Sequence, residues 1–127
     1  MERGDRVSPY VYPGLEEMTG KVVMVQFVND LCHDRNLNLQ DVLGRTRRRE
    51  YVETRQVAMY ILREYEKKTF HDIGRLFDRD HATVIHAWKK FKSLMSVGDK
   101  EAEEIYSSAK RIYLYQKIHN YGEQKNL

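Results

Sequence analysis

Thr69–Met95 reads TFHDIGRLFDRDHATVIHAWKKFKSLM, and its punctuation decides the fold class. Thr69 offers a hydroxyl to the free amides of the turn that follows it. Asp72, three positions on, completes the pattern of a capping box, with Asp standing where Glu or Gln is more usual. A short helix is therefore predicted over Phe70–Phe77, with Ile73 and Phe77 turned inward. Asp78-Arg79-Asp80 is a tight connection. Asp80 then caps a second helix from His81 to about Met95, whose apolar stripe is Val84, Ala87/Trp88, Phe91 and Met95. Two helices joined by so short a turn make a helix-turn-helix pattern, a weak signal alone because any helical bundle contains helix pairs.

The flanking sequence extends the helical reading. Between Thr19 and Arg35, Val23, Phe27 and Leu31 recur every four residues, with Met24 and Val28 alongside, so an amphipathic helix of about four turns is expected. Asn38 is placed to cap a short helix over Leu39–Leu43, which Gly44 closes. Arg45–Arg49 (RTRRR) reads as a basic loop. A longer helix is expected over Val52–Lys67, with Val57, Tyr60, Ile61 and Tyr65 on one side and Arg63, Glu64 and Glu66 in water. A last helix over Lys100–His119 would place Ile105, Ala109, Ile112 and Leu114/Tyr115 on overlapping faces. The organisation expected is a flexible arm over residues 1–18, one all-α domain over 19–119 and a frayed tail over 120–127.

Composition bounds the function. The 127 residues are 41% hydrophobic and 32% charged, enough for a modest core in one domain. Mean hydropathy is −0.73 and no apolar run approaches eighteen residues, so no membrane span is expected. Met1–Pro13 lacks the apolar stretch of a secretory signal, and Cys32 is the single cysteine, so a cytoplasmic, reducing setting is the default and Cys32 reads as a small buried hydrophobe. The net charge is +3, but Arg45–Lys92 holds thirteen Lys/Arg against seven Asp/Glu, while the other nine basic and twelve acidic residues lie elsewhere. One basic face is the electrostatic footprint of a polyanion binder. The second helix of the pair opens with Asp80, His81 and Thr83, polar groups at the end that faces base edges when such a helix enters a major groove.

At this point the residues become recognisable. Arg55–Met59 (RQVAM), Asp72–Phe77 (DIGRLF) and Arg79–Ala87 (RDHATVIHA) resemble the C-terminal DNA-binding domain of the bacterial chromosomal replication initiator DnaA, over roughly Val22–Tyr113. The resemblance implies an all-helical, Trp repressor-like bundle that binds a nine-base-pair box in double-stranded DNA. It implies a minor-groove role for Arg55, where a guanidinium suits the negative potential of a narrow groove. It implies base reading by Asp80 and His81, since a carboxylate accepts from a cytosine amino group and an imidazole packs on a thymine methyl. It implies phosphate contacts by Thr69, Thr83, His86 and Lys90. Arg45, Arg47, Arg48, Arg49 and Lys89 join these as phosphate contacts because they flank the same helix.

Departures from the family pattern are specific. Ala82 stands where the family usually has Thr, losing a hydroxyl but keeping a methyl that can touch a thymine methyl. The turn before Arg79 is one residue shorter, with Asp78 where glycine is common. His71 and Thr54 replace usual prolines. No GxxxxGK[ST] phosphate loop occurs in these residues, so the chain carries no ATPase module of that type and reads as a stand-alone relative or a fragment.

Plainer roles compete with each of these. Asp80 is also an N-cap, and Arg75 either reaches a phosphate or pairs with a nearby acid. Spacing puts Tyr60 and Phe91 in the core; for Trp88, base stacking and packing both stay open. Tyr106, Tyr113, Tyr115 and Tyr121 either line an interface or cover the last helix. His86 follows His81 by five residues, about 140° round the helix, so the two do not converge on a metal. No catalytic constellation or cofactor motif stands out. The function expected is sequence-specific DNA binding by a monomer, in replication initiation or transcription, with replication or transcription proteins as further partners. The alternative is a helical interaction module that keeps the fold, has lost specific recognition and uses the tyrosine-rich last helix.

Overall fold

The computed structural model describes residues 22–125, and of residues 120–125 the backbone only; the expected arm over 1–18 and the last two residues lie outside the described residues. Six helices and no strand occur among the described residues: α1 (Met24–Asp34), α2 (Leu39–Leu43), α3 (Arg49–Glu64), α4 (Phe70–Phe77), α5 (His81–Ser96) and α6 (Lys100–Lys125). The all-α expectation holds.

Where a side chain caps a helix, the boundary falls where the sequence puts it. Asn38 accepts from the amides of Gln40 (2.8 Å) and Asp41 (3.3 Å), Thr69 from Asp72 (3.0 Å), and Asp80 from Thr83 (2.8 Å). The capping box is one-sided, because the Asp72 carboxylate accepts from Arg75 at 2.7 Å. Helices without such a cap start elsewhere. The first helical residue of α1 is Met24, not Thr19, and Val23, assigned to its apolar stripe, is its 44%-exposed N-cap while Val22 takes the buried place. The first helical residue of α3 is Arg49, three residues before the expected start, so only Arg45–Arg48 of the basic segment is loop. Helix α6 continues to Lys125, six residues past its expected end at His119. Gly122 does not stop it, since one glycine inside a helix costs only about 1 kcal/mol.

Helix α3 is the axis of the bundle and packs against each of the other five. Its buried residues include Ala58 and Val57, Met59, Ile61 and Leu62, the last four each worth on the order of 1–3 kcal/mol of transfer free energy by burial. Val84 and Phe91 of α5 and Ile73 and Phe77 of α4 close one side of this core. On α6 the buried row is Ala102, Ile105, Ala109, Tyr113 and Gln116, steps of three and four that include a tyrosine and a glutamine. Tyr115, expected on that face, is 62% exposed instead, and Ile112 and Leu114 lie at its edge.

The tyrosines are largely architectural. Tyr113 is fully buried, meets Phe27 edge-on at 6.0 Å and donates its hydroxyl to Glu66 at 2.6 Å. Burial and the adjacent Glu66 carboxylate raise its pKa well above the ordinary tyrosine value. Glu66 also faces Lys117 at 3.3 Å with its side chain only 9% exposed, so it is part of the core edge and not a wetted residue as expected. Tyr60 packs on Phe91 at 5.1 Å, and the Tyr65 and Tyr106 hydroxyls share a hydrogen bond. Trp88 resolves to packing: its ring meets Phe70 at 5.5 Å and its Nε1 donates to Glu64 at 2.8 Å.

Candidate nucleic-acid interface

The turn between α4 and α5 is built by a close backbone approach. Asp78 adopts the left-handed conformation (φ 54°, ψ 51°), and the amides of Asp78 and Arg79 fold back to the carbonyls of Arg75 (3.4 Å) and Gly74 (2.9 Å). This is a Schellman closure with Asp in the place glycine prefers. A Cβ on Gly74 would lie 2.4 Å from the Arg79 carbonyl oxygen, so only glycine lets the turn come this close.

Two arginines stitch the α2–α3 corner to that turn, and a third closes the corner itself. Arg79 donates to the carbonyls of Phe77 (2.6 Å) and Gly44 (2.7 Å). Arg45 donates to the Asp78 carbonyl (2.8 Å) and its carboxylate (3.3 Å). From α3, Arg55 donates through Nε to the Val42 carbonyl (2.6 Å) and through an Nη to that of Asp41 (3.1 Å). Most of the acceptors are carbonyl dipoles, so the positive charge is not cancelled. Burial lowers the pKa of Arg55 and Arg79 below the ordinary arginine value, and repulsion adds to it, from Arg79 and Arg45 on Arg55 and from Arg45 on Arg79, although each stays protonated.

Helix α5 presents the other half of the surface. Val84 and Phe91 face the core, and at one residue per 100° Ala82, His86, Lys89, Lys90 and Ser93 form an exposed stripe on the opposite side. Thr83 and His81 flank it. The Thr83 amide and hydroxyl hold the Asp80 carboxyl below its ordinary value, so Asp80 is an ionised cap at neutral pH. Thr69, also exposed, sits at the start of α4.

The residues singled out in the sequence are therefore not all placed alike. Asp80, His81, Ala82, Thr83, His86, Lys89 and Lys90 are brought together along α5, and Arg45 reaches the turn that precedes it. Arg47 is exposed and makes no ion pair among the described residues; Arg48 pairs with Glu50 at 3.1 Å. Arg49 points away, held by Glu53 at 3.0 Å and by Glu101 of α6. Arg55 is only 7% exposed and engaged by backbone carbonyls. Arg75 pairs with Asp72. Sequence reasoning missed the stitching role of Arg79, whose acceptor Gly44 lies 35 positions away, and the contact of His71 with His81, rings stacked at 4.3 Å.

Residues 27–91, from the middle of α1 to the middle of α5, match the family model described as the bacterial dnaA protein helix-turn-helix. The chain belongs to the DnaA helix-turn-helix family. The domain this family defines is a helix-turn-helix, not a catalytic module. Among curated relatives, the chromosomal replication initiator protein DnaA of Caldanaerobacter subterraneus subsp. tengcongensis is 33% identical over 99 residues, 78% of this chain and 21% of its own. DnaA of Ruegeria sp. (strain TM1040) is 30% identical over 86 residues, 67% of this chain and 18% of its own. DnaA of Wolbachia pipientis wMel is 41% identical over 71 residues, 55% and 15% of the two chains. The chain thus spans about a fifth or less of these DnaA relatives. No helix among the described residues is long and apolar enough to cross a membrane.

Proposed function

We propose that this chain binds double-stranded DNA sequence-specifically, with the start of α5 in the major groove, as the DNA-contacting element of a replication-initiation or transcription-control system. The observation that carries this reading is the α5 stripe of Ala82, His86, Lys89 and Lys90, exposed opposite the buried Val84 and Phe91 and adjoining the arginine-stitched turn. A helix so oriented offers base-reading groups at its N-terminal end and cations further along, where phosphates line the groove.

Roles follow from placement. Asp80 and His81 read base edges, and the Ala82 methyl packs on a thymine methyl. Lys89, Lys90, His86, Thr83 and Thr69 hold phosphates on one side; Arg47, Arg45 and Arg48 hold them on the other, Arg45 and Arg48 exchanging exposed carboxylate partners for phosphate. Arg49 contributes least, being engaged by two carboxylates. For Arg55 to enter the minor groove it must give up the Val42 and Asp41 carbonyls, so its first contribution is to hold the corner beside the groove.

The test is the salt dependence of binding for variants on this surface. Lys89→Ala and Lys90→Ala should each weaken binding to all duplexes alike and reduce the slope of log K against log salt by about 1. His81→Ala should instead reduce the preference for the specific duplex. Unchanged slopes in both lysine variants would place the interface elsewhere.

A further inference from the structure

His71 and His81 stack face to face, ring centroids 4.3 Å apart and planes 28° from parallel, across the turn of the helix-turn-helix. Both are exposed. His81 is the first residue of α5 and sits about 100° round the helix from Ala82, on the flank nearest α4. An imidazole there, left to itself, exchanges among staggered rotamers and pays that entropy when it settles on a base. His71 covers one face of it. The covering ring is itself carried on a fixed support: Thr69 caps α4, and Phe70 is held between Trp88 at 5.5 Å and the Arg63 guanidinium at 4.1 Å.

We propose that His71 is a positioning residue for His81. The stack selects one orientation of the His81 ring, with one face against His71 and the opposite face and edge directed to the groove. This rests on the major-groove reading above and adds to it the device that preorganises the reading side chain. It also gives a physical function to His71, whose own side chain need not touch DNA.

The experiment uses the full chain and the duplex it selects from a random pool, with every single base-pair substitution across that site, read by fluorescence anisotropy. Wild type is compared with His71→Ala, His71→Phe, His81→Ala and the double alanine variant, each checked for folding by its thermal midpoint. An aromatic pair is worth enough that His71→Ala should lose roughly 2- to 12-fold in discrimination. That loss should fall at the base pairs where His81→Ala loses it, with affinity for unrelated duplex unchanged. His71→Phe should restore it, and the double variant should be no worse than His81→Ala. A uniform loss on all duplexes, a loss at other base pairs, or full additivity in the double variant would overturn the positioning role. If His81→Ala lowers discrimination and His71→Ala does not, the positioning role alone falls. If no duplex is selected, or His81→Ala changes nothing, the groove assignment falls and takes the proposal with it.

Discussion

Replacing Arg55 with alanine separates a residue that builds the surface from one that only touches DNA. The guanidinium supplies the 2.6 Å donor to the Val42 carbonyl, on a fully buried residue, and losing it strands that acceptor at a cost of about 1–3 kcal/mol. The Asp41 carbonyl already accepts from Gly44 and is wetted, so its 3.1 Å bond adds little. Truncating the buried stem removes two methylenes, Cγ and Cδ, about 0.8 kcal/mol each at full burial. Relief of the desolvated charge beside Arg79 and Arg45 returns part of this, leaving a net loss of about 2 kcal/mol. For a folded unit near 100 residues that is a fall of about 8 °C in Tm. Urea unfolding followed by far-UV circular dichroism measures the loss directly, and Arg55→Lys, a point charge without the fork, should recover less than half of it. A variant that loses DNA affinity while its Tm stays within about 1 °C of wild type would refute the structural role of Arg55.

Three further outcomes are expected. Gly74→Ala forces a Cβ against the Arg79 carbonyl oxygen at 2.4 Å and should cost about 1–3 kcal/mol in thermal unfolding; an unchanged Tm would mean the turn yields freely. The Cys32 thiol, buried and pushed up to about 11, should react with a disulfide reagent at pH 8 only as fast as the protein opens, whereas immediate stoichiometric labelling of the native state would contradict its placement. Asp80, with its carboxyl lowered from the ordinary 3.8, contributes its cap fully above the unfolded value and loses it as pH falls through the depressed folded one; an NMR titration midpoint at or above 3.8 would be inconsistent with the Thr83 bond.

How much of this was legible in the sequence depended on the range of the interactions. Asn38, Thr69 and Asp80 bond to amides two or three residues away, so α2, α4 and α5 could be placed closely from local pattern. Val23 and Arg48 make no side-chain cap, and the starts of α1 and α3 were accordingly misplaced by several residues. On α6 the core row runs through Tyr113 and Gln116, residues an apolar count passes over, because their polar ends are satisfied by Glu66 of the α3–α4 connection and Asp30 of α1. That also removes Tyr113 from any docking role for the last helix. The helix-turn-helix and its polar opening were readable because they are contiguous. The stitches were not: Arg55 and Arg79 bond to carbonyls 13 and 35 positions away, and nothing local in RQVAM or RDH announces the acceptor. The His71–His81 stack spans ten positions across a turn whose tightness is known only from the backbone.

Sequence-specific binding is read by fluorescence anisotropy of the purified chain with a duplex carrying a DnaA-type nine-base-pair box and with a scrambled duplex, each at two salt concentrations. Binding that prefers the box and weakens as salt rises is the predicted result. Absence of binding to either duplex at low salt would contradict it.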